Sequence, residues 1–176
     1  PHTVAIERLD RAAEKHAHLT RSSVVPGPDQ LFSNGPELLK ALKAWARERG
    51  TLFHCHSSEE YNTTELFKKE HGKTPVKYAQ EIGILDEWTV LAHQVQTSPE
   101  DLAILKDTGT RVVHNPLANT ILGSGMPPIL DFLEAGIPVA ISTDGSGSAD
   151  SQNILAAARL ASQYQKARHK DATALP

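Results

Sequence analysis

Four apolar stretches of this 176-residue chain end in the same kind of side chain. His54-Cys55-His56 closes the first and leads into Ser57, Ser58 and Glu59. Leu91-Ala92-His93 closes the second, Val113-His114-Asn115-Pro116 the third, and Ser142-Thr143-Asp144-Gly145 the fourth. Imidazoles and carboxylates are the groups that hold divalent metals and move protons near neutral pH. Taken singly, each histidine reads as a satisfied structural residue; four consecutive runs ending alike read as one site. The period of two along a strand puts His54 and His56 on one face and Cys55 on the other. His56 lies nearest the terminus, and His54, one layer deeper, is expected to support it by a hydrogen bond. Cys55 reads as a packing residue on the helix side. Glu59 reads either as a reacting carboxylate or as a charge at a helix N-terminus. Asp144 follows the apolar run Pro138-Val139-Ala140-Ile141-Ser142, where an unpaired carboxylate is costly. It calls for a cation, most simply a metal, and histidine with aspartate suits zinc while admitting iron or manganese.

The elements that must carry these residues alternate. Apolar periodicity, caps and breakers predict a helix over 3–17, a strand over 21–25 and a Pro- and Gly-rich loop over 26–35. A second helix follows, with Asn34 as N-cap, Pro36 in its first turn and Gly50 at its end. Next come a strand over 51–55, helical segments over 64–70 and 75–82, and a strand over 89–92. Ser98 caps a helix through 106, stopped by Gly109, before a strand over 111–113. A glycine-containing loop then runs to Pro128, followed by a helix over 129–135, a strand over 137–141 and a last helix over 151–167. Strands alternating with helices argue for a parallel α/β sheet with crossover helices. Five such units could form a small doubly wound sheet or five-eighths of a (β/α)8 barrel, which usually needs about 250 residues. In either, ligands bind at the carboxyl ends of the strands.

Composition narrows the class. With 39% apolar and 22% charged residues and a formal charge of −3, the chain is expected to bury one core and to form a single domain over 1–176. Lys and Arg are scattered, so no basic stripe offers itself to nucleic acid. No apolar run approaches a membrane span, and the N-terminus lacks a signal-peptide layout. One cysteine leaves no internal disulfide, which points to a reducing, cytoplasmic setting. The chain opens at Pro1 without Met and runs almost at once into a helical pattern, and is expected to be a piece of something longer.

Taken together and in order, His56-x-x-Glu59, Leu91-Ala92-His93, His114-Asn115-Pro116-Leu117-Ala118-Asn119 with Gly123-Ser124-Gly125, and Ser142-Thr143-Asp144-Gly145 resemble the later strand motifs of the amidohydrolase superfamily. The branch they resemble includes guanine deaminase, adenosylhomocysteine deaminase and the triazine hydrolases. The resemblance implies a (β/α)8 barrel of the metallo-dependent hydrolase type, present here as a partial barrel of about strands four to eight. It implies one divalent metal, zinc or else iron, with His56 and Asp144 as ligands. Glu59 becomes the acid/base toward the substrate ring, and His93 positions the attacking water, with Asp144 sharing its proton. His114 and Asn119 shape the substrate pocket. The reaction implied is hydrolytic deamination, or a related C–N or C–Cl hydrolysis, of a small heterocycle such as a purine, pyrimidine or triazine. His16-Ala17-His18 falls at a helix end, so the family's first-strand His-x-His pair is absent from this chain. Open strand edges left by the missing units imply a homo-oligomer.

Two other readings stand beside this one. Gly145-Ser146-Gly147-Ser148 after the last strand admits a phosphate-binding α/β domain, although Asp144 would repel the phosphate. The chain can also be a non-catalytic barrel fragment holding only part of the site.

Overall fold

The computed structural model describes residues 2–176. The elements run α1 (His2–His16), α2 (Pro36–Glu48), β1 (Phe53–Ser57), α3 (Tyr61–His71), α4 (Pro75–Glu81), β2 (Thr89–His93), α5 (Pro99–Thr108), β3 (Arg111–His114), α6 (Pro116–Ile121), α7 (Ile129–Glu134), β4 (Val139–Ile141), α8 (Ser146–Ala149) and α9 (Ile154–His169). The four strands form one parallel sheet in the order β1-β2-β3-β4. Every strand is followed by at least one helix, as the alternation in the sequence requires.

Capping residues set several of these boundaries. Ser98 and Asp101 form a reciprocal capping box at the start of α5, which satisfies two orphan amides of the first turn. Gly109 closes that helix in the left-handed region at φ 71°, where a Cβ would meet Glu87 at 3.4 Å. Thr74 caps α4 ahead of Pro75. α2 departs from expectation, because its N-cap is Gly35. Asn34 turns back instead and donates Nδ2 to the Gln30 carbonyl at 2.8 Å.

Alternation within the strands sorts the side chains into two layers. Phe53, Cys55, Leu91 and Val112 point to the helices and join Leu39, Leu42, Ile104, Leu105, Ile129 and Phe132 in the core. Cys55 is fully buried there, as the alternation predicts. An ion pair on a buried lysine ties α2 to the start of β2: Lys43, 1% exposed, bonds the partly buried Asp86, which Arg47 also bonds, and donates to Thr89 Oγ1 at 2.8 Å. Burial lowers the Lys43 pKa, and Asp86 opposes that shift.

Three segments correct the sequence reading. No strand forms over 21–25. The backbone that lies along β1 is 26–31, where the Pro26 carbonyl accepts from His54 N and the Asp29 carbonyl from His56 N, both at 3.1 Å, and Leu31 N donates to the His56 carbonyl at 3.2 Å. Pro26 and Pro28 have no N–H to give a ladder, so this segment pairs only through an isolated bridge at Gln30 and His56. The glycine loop before Pro128 contains α6, which opens with Pro116 in its first turn. The last helix starts later than predicted, at Ile154, with α8 inserted before it. β4 is short, and Ala140 and Ile141 are exposed; among the described residues no strand pairs with its far side.

Candidate active site at the carboxyl ends of the strands

His56, near the end of β1, points to the face opposite Cys55. Its Nδ1 donates to the Asp29 carbonyl at 2.6 Å, which fixes the proton on that nitrogen and leaves Nε2 as a bare lone pair. His54 lies beneath it, ring edge to ring face, with centroids 5.9 Å apart. The support is this aromatic contact; the expected hydrogen bond from His54 is absent among the described residues. Burial lowers the His54 pKa, and the neighbouring His56 and His93 lower it further against Asp144.

His93 occupies the centre. By strand parity it should follow Thr89 and Leu91 onto the helix face, but its backbone is left-handed at φ 74°. Its ring instead stacks on His56, with centroids 5.3 Å apart and planes 24° from parallel. Around that ring, Asn119 Oδ1 lies 2.8 Å from Nδ1 and Glu59 Oε1 lies 3.6 Å from the same nitrogen. Asp144 Oδ2 lies 3.7 Å from Nε2. Ser58, Gln94 and Asp144 are likewise left-handed, at φ 51°, 50° and 67°. Four residues in this sterically expensive region sit just where the sheet meets the site, as functional strain often does.

Glu59 precedes α3, whose N-cap is Glu60. It borders a narrow cleft lined also by Leu31, Phe32, His56, Ser58 and Phe67. Asp144 takes the Gly145 amide on Oδ1 at 2.7 Å, so that amide is spent and Oδ2 remains toward His93.

The donor chemistry of these residues fits a divalent metal. A histidine whose other nitrogen is pinned to a carbonyl, and a carboxylate with one oxygen oriented by an amide, are prepared ligands. Among the described residues, however, no three His, Cys, Asp or Glu side chains are gathered as a complete metal set.

The structure thus brings together His56, Glu59, His93, Asn119 and Asp144. His114 does not join them by any hydrogen bond: alternation sets it on the same strand face as Val112, it is 2% exposed, and both ring nitrogens lack partners. Burial, with a contribution from His93, drives its pKa down to about 4. Two contributors escaped the sequence reading, the Asp29 carbonyl and Asn115, whose Nδ2 lies 3.4 Å from both nitrogens of His93. The first shows no side-chain signal; the second adjoins the His114 motif and could have been found there.

Comparison with known proteins identifies the family. The model of the amidohydrolase family matches residues 3–176. A 5-methylthioadenosine/S-adenosylhomocysteine deaminase from Aquifex aeolicus is 33% identical over 170 residues, which is 97% of this chain and 40% of that protein. Among solved structures, an atrazine chlorohydrolase from Arthrobacter aurescens complexed with zinc is 26% identical, with a TM-score of 0.84 over 92% of this chain and 36% of the other. An adenosine deaminase from Xanthomonas campestris with bound zinc shares the fold, with a TM-score of 0.87 at 24% identity over 95% of this chain and 39% of the other. The chain therefore spans about 40% of the length of the curated relative.

Proposed function

Because this chain belongs to the amidohydrolase family, we propose that it supplies the later strand ends of a metal-dependent hydrolase that deaminates a small nitrogen heterocycle. It would be the C-terminal part of the catalytic domain, covering about strands four to eight of a (β/α)8 barrel, with 26–31 as the remnant of the fourth. The observation that carries this reading is the convergence on His93 of groups from four separate elements, all at the carboxyl end of the sheet. Relatives named as adenosine-type deaminases favour an aminopurine nucleoside as substrate.

His56 and Asp144 would hold one divalent metal, zinc by the donor set and by the solved relatives. When bound, such an ion lowers the pKa of a water molecule to about 7 and so supplies a nucleophile at neutral pH. Asp144 Oδ2 and His93 Nε2 face each other across 3.7 Å, a gap suited to orienting the water and taking its proton. The water oxygen adds to the ring carbon that bears the amino group. Glu59, on the opposite side of His93, gives a proton to the adjacent ring nitrogen, so that charge does not build on the heterocycle. The C–N bond then breaks, the amino group takes a proton and leaves as ammonia, and the ring carbon keeps the oxygen. The open edge beyond β4 must be closed by the rest of the barrel, with homo-oligomer formation as a further part of the reading. No helix among the described residues is long and apolar enough to cross a membrane; a cytoplasmic enzyme, with Cys55 as a free buried thiol, completes the proposal.

In the full-length protein, Glu59→Gln should keep its zinc and lose about 10²-fold or more in rate, the scale of a lost acid/base. Asp144→Asn should lose both metal and turnover, since an amide is a poorer ligand. Metal analysis and ammonia release from adenosine and methylthioadenosine would test this. Wild-type rate in either variant overturns the assignment.

A further inference from the structure

We propose that Asn119 is a positioning residue whose Oδ1 holds His93 in the Nδ1–H tautomer, so that His93 presents a bare Nε2 to Asp144. The catalytic meaning of this inference rests on the proposed function; the tautomer itself does not. An amide oxygen can only accept, so at 2.8 Å from Asn119 Oδ1 the His93 Nδ1 must donate. Glu59 Oε1, at 3.6 Å from the same nitrogen, and Asp144 Oδ2, at 3.7 Å from Nε2, are too far for good hydrogen bonds and pull the proton in opposite directions, so the short Asn119 contact decides. Asn115 Nδ2 is equally distant from both nitrogens and selects neither. Both partners are sealed from water, His93 at 1% and Asn119 at 0% exposure.

The backbone around Asn119 is fixed on both sides. Its N–H donates to the Asn115 carbonyl at 3.0 Å, and its own carbonyl accepts from Ser124 N at 2.9 Å. The reach of α6 therefore sets where Oδ1 falls. His93 needs such a fixture, because its left-handed backbone rather than strand parity brings the ring over the site. Its oxygen is committed to His93, while its Nδ2 has no partner among the described residues and stays available for the substrate contact expected from the motif.

The test uses the full-length protein with ¹⁵N-labelled histidine and reads the protonation of each His93 nitrogen by long-range ¹H–¹⁵N correlation in the metal-free state. Wild type should show a protonated Nδ1 and a bare Nε2, and Asn119→Asp, which keeps an acceptor oxygen, should keep Nδ1 protonated. Asn119→Leu should show mixed tautomers. With methylthioadenosine as substrate, Asn119→Leu should lower kcat by about 10- to 10²-fold, as loss of an orienting partner does, with KM unchanged, and Asn119→Asp should recover most of the loss. A His93 protonated at Nε2 in wild type overturns the proposal, as does a raised KM with unchanged kcat in Asn119→Leu. If no aminopurine is deaminated at all, the functional reading fails while the spectra still decide the tautomer. If the leucine variant does not fold, the wild-type and aspartate spectra remain decisive.

Discussion

His114 offers a measurable cost written into the fold. Its ring is buried without a partner on either nitrogen, and its pKa falls from an ordinary 6.5 to about 4. Because the folded value is depressed, the unfolded chain binds the proton first. Stability is fully present above pH 6.5, declines as the pH falls toward 4, and levels off below. At about 1.4 kcal/mol per unit of pH, the decline attributable to this one ring is about 3 kcal/mol. Replacing it by phenylalanine, which has similar shape and no polar atoms, should abolish that component. Urea denaturation of the full-length protein and of His114→Phe between pH 7 and pH 4, with unchanged m-values, isolates it, because the carboxylates common to both cancel in the difference. The variant should gain about 3 kcal/mol over wild type between the two limits. It should also be the more stable at pH 7, where it removes two unsatisfied buried atoms. Parallel pH profiles, or a His114 ring that titrates near its ordinary value by NMR, would refute the reasoning.

The buried pair below the sheet gives a second expectation. Asp86→Asn leaves Lys43, 1% exposed, without its counter-ion and should cost about 3 kcal/mol of unfolding free energy, the usual scale for removing the partner of a buried charge. Chemical denaturation checks it, and a change within error would show that Thr89 alone satisfies the lysine. Cys55 supplies a third. Burial, with Asp29 adding to it, pushes its thiol up to about 12, so iodoacetamide at pH 8 should leave the native protein unlabelled and modify it at once in denaturant. Rapid labelling of the folded state would contradict its place in the core.

Much of this architecture was legible because local chemistry and global arrangement agree. The Ser98-Pro99-Glu100-Asp101 start of α5 and the turn at Gly109 fall where capping rules put them. The runs ending in His56, His93 and Asp144 do converge. The failures have a common origin in groups that act beyond their own segment. Val24 and Val25 look like strand residues, yet the carbonyls that reach β1 belong to Pro26 and Asp29. α6 hid behind its Gly-rich sequel, although Pro116 marks a first turn. His114 has the same sequence signature as His93, yet the backbone separates them: one turns at φ 74° and stacks on His56, while the other keeps the alternation of its strand and is buried with no hydrogen-bond partner. Periodicity carries no sign of such a turn, and so none of the role of Asn119.

The left-handed residues at the strand ends set this protein's capacity for change against the site proposed for it. Glycine at Ser58, His93, Gln94 or Asp144 would relieve backbone strain of about 1 kcal/mol at each position. At His93 and Asp144 the same replacement removes a side chain on which the proposed site depends. Mutational drift that favours firmer folding would therefore erode the site before it touched the core, and a library selected for thermal tolerance alone should recover glycine at these positions together with lost turnover. The positions proposed to act are the sheet's least comfortable ones, and on that reading only selection for function keeps them occupied.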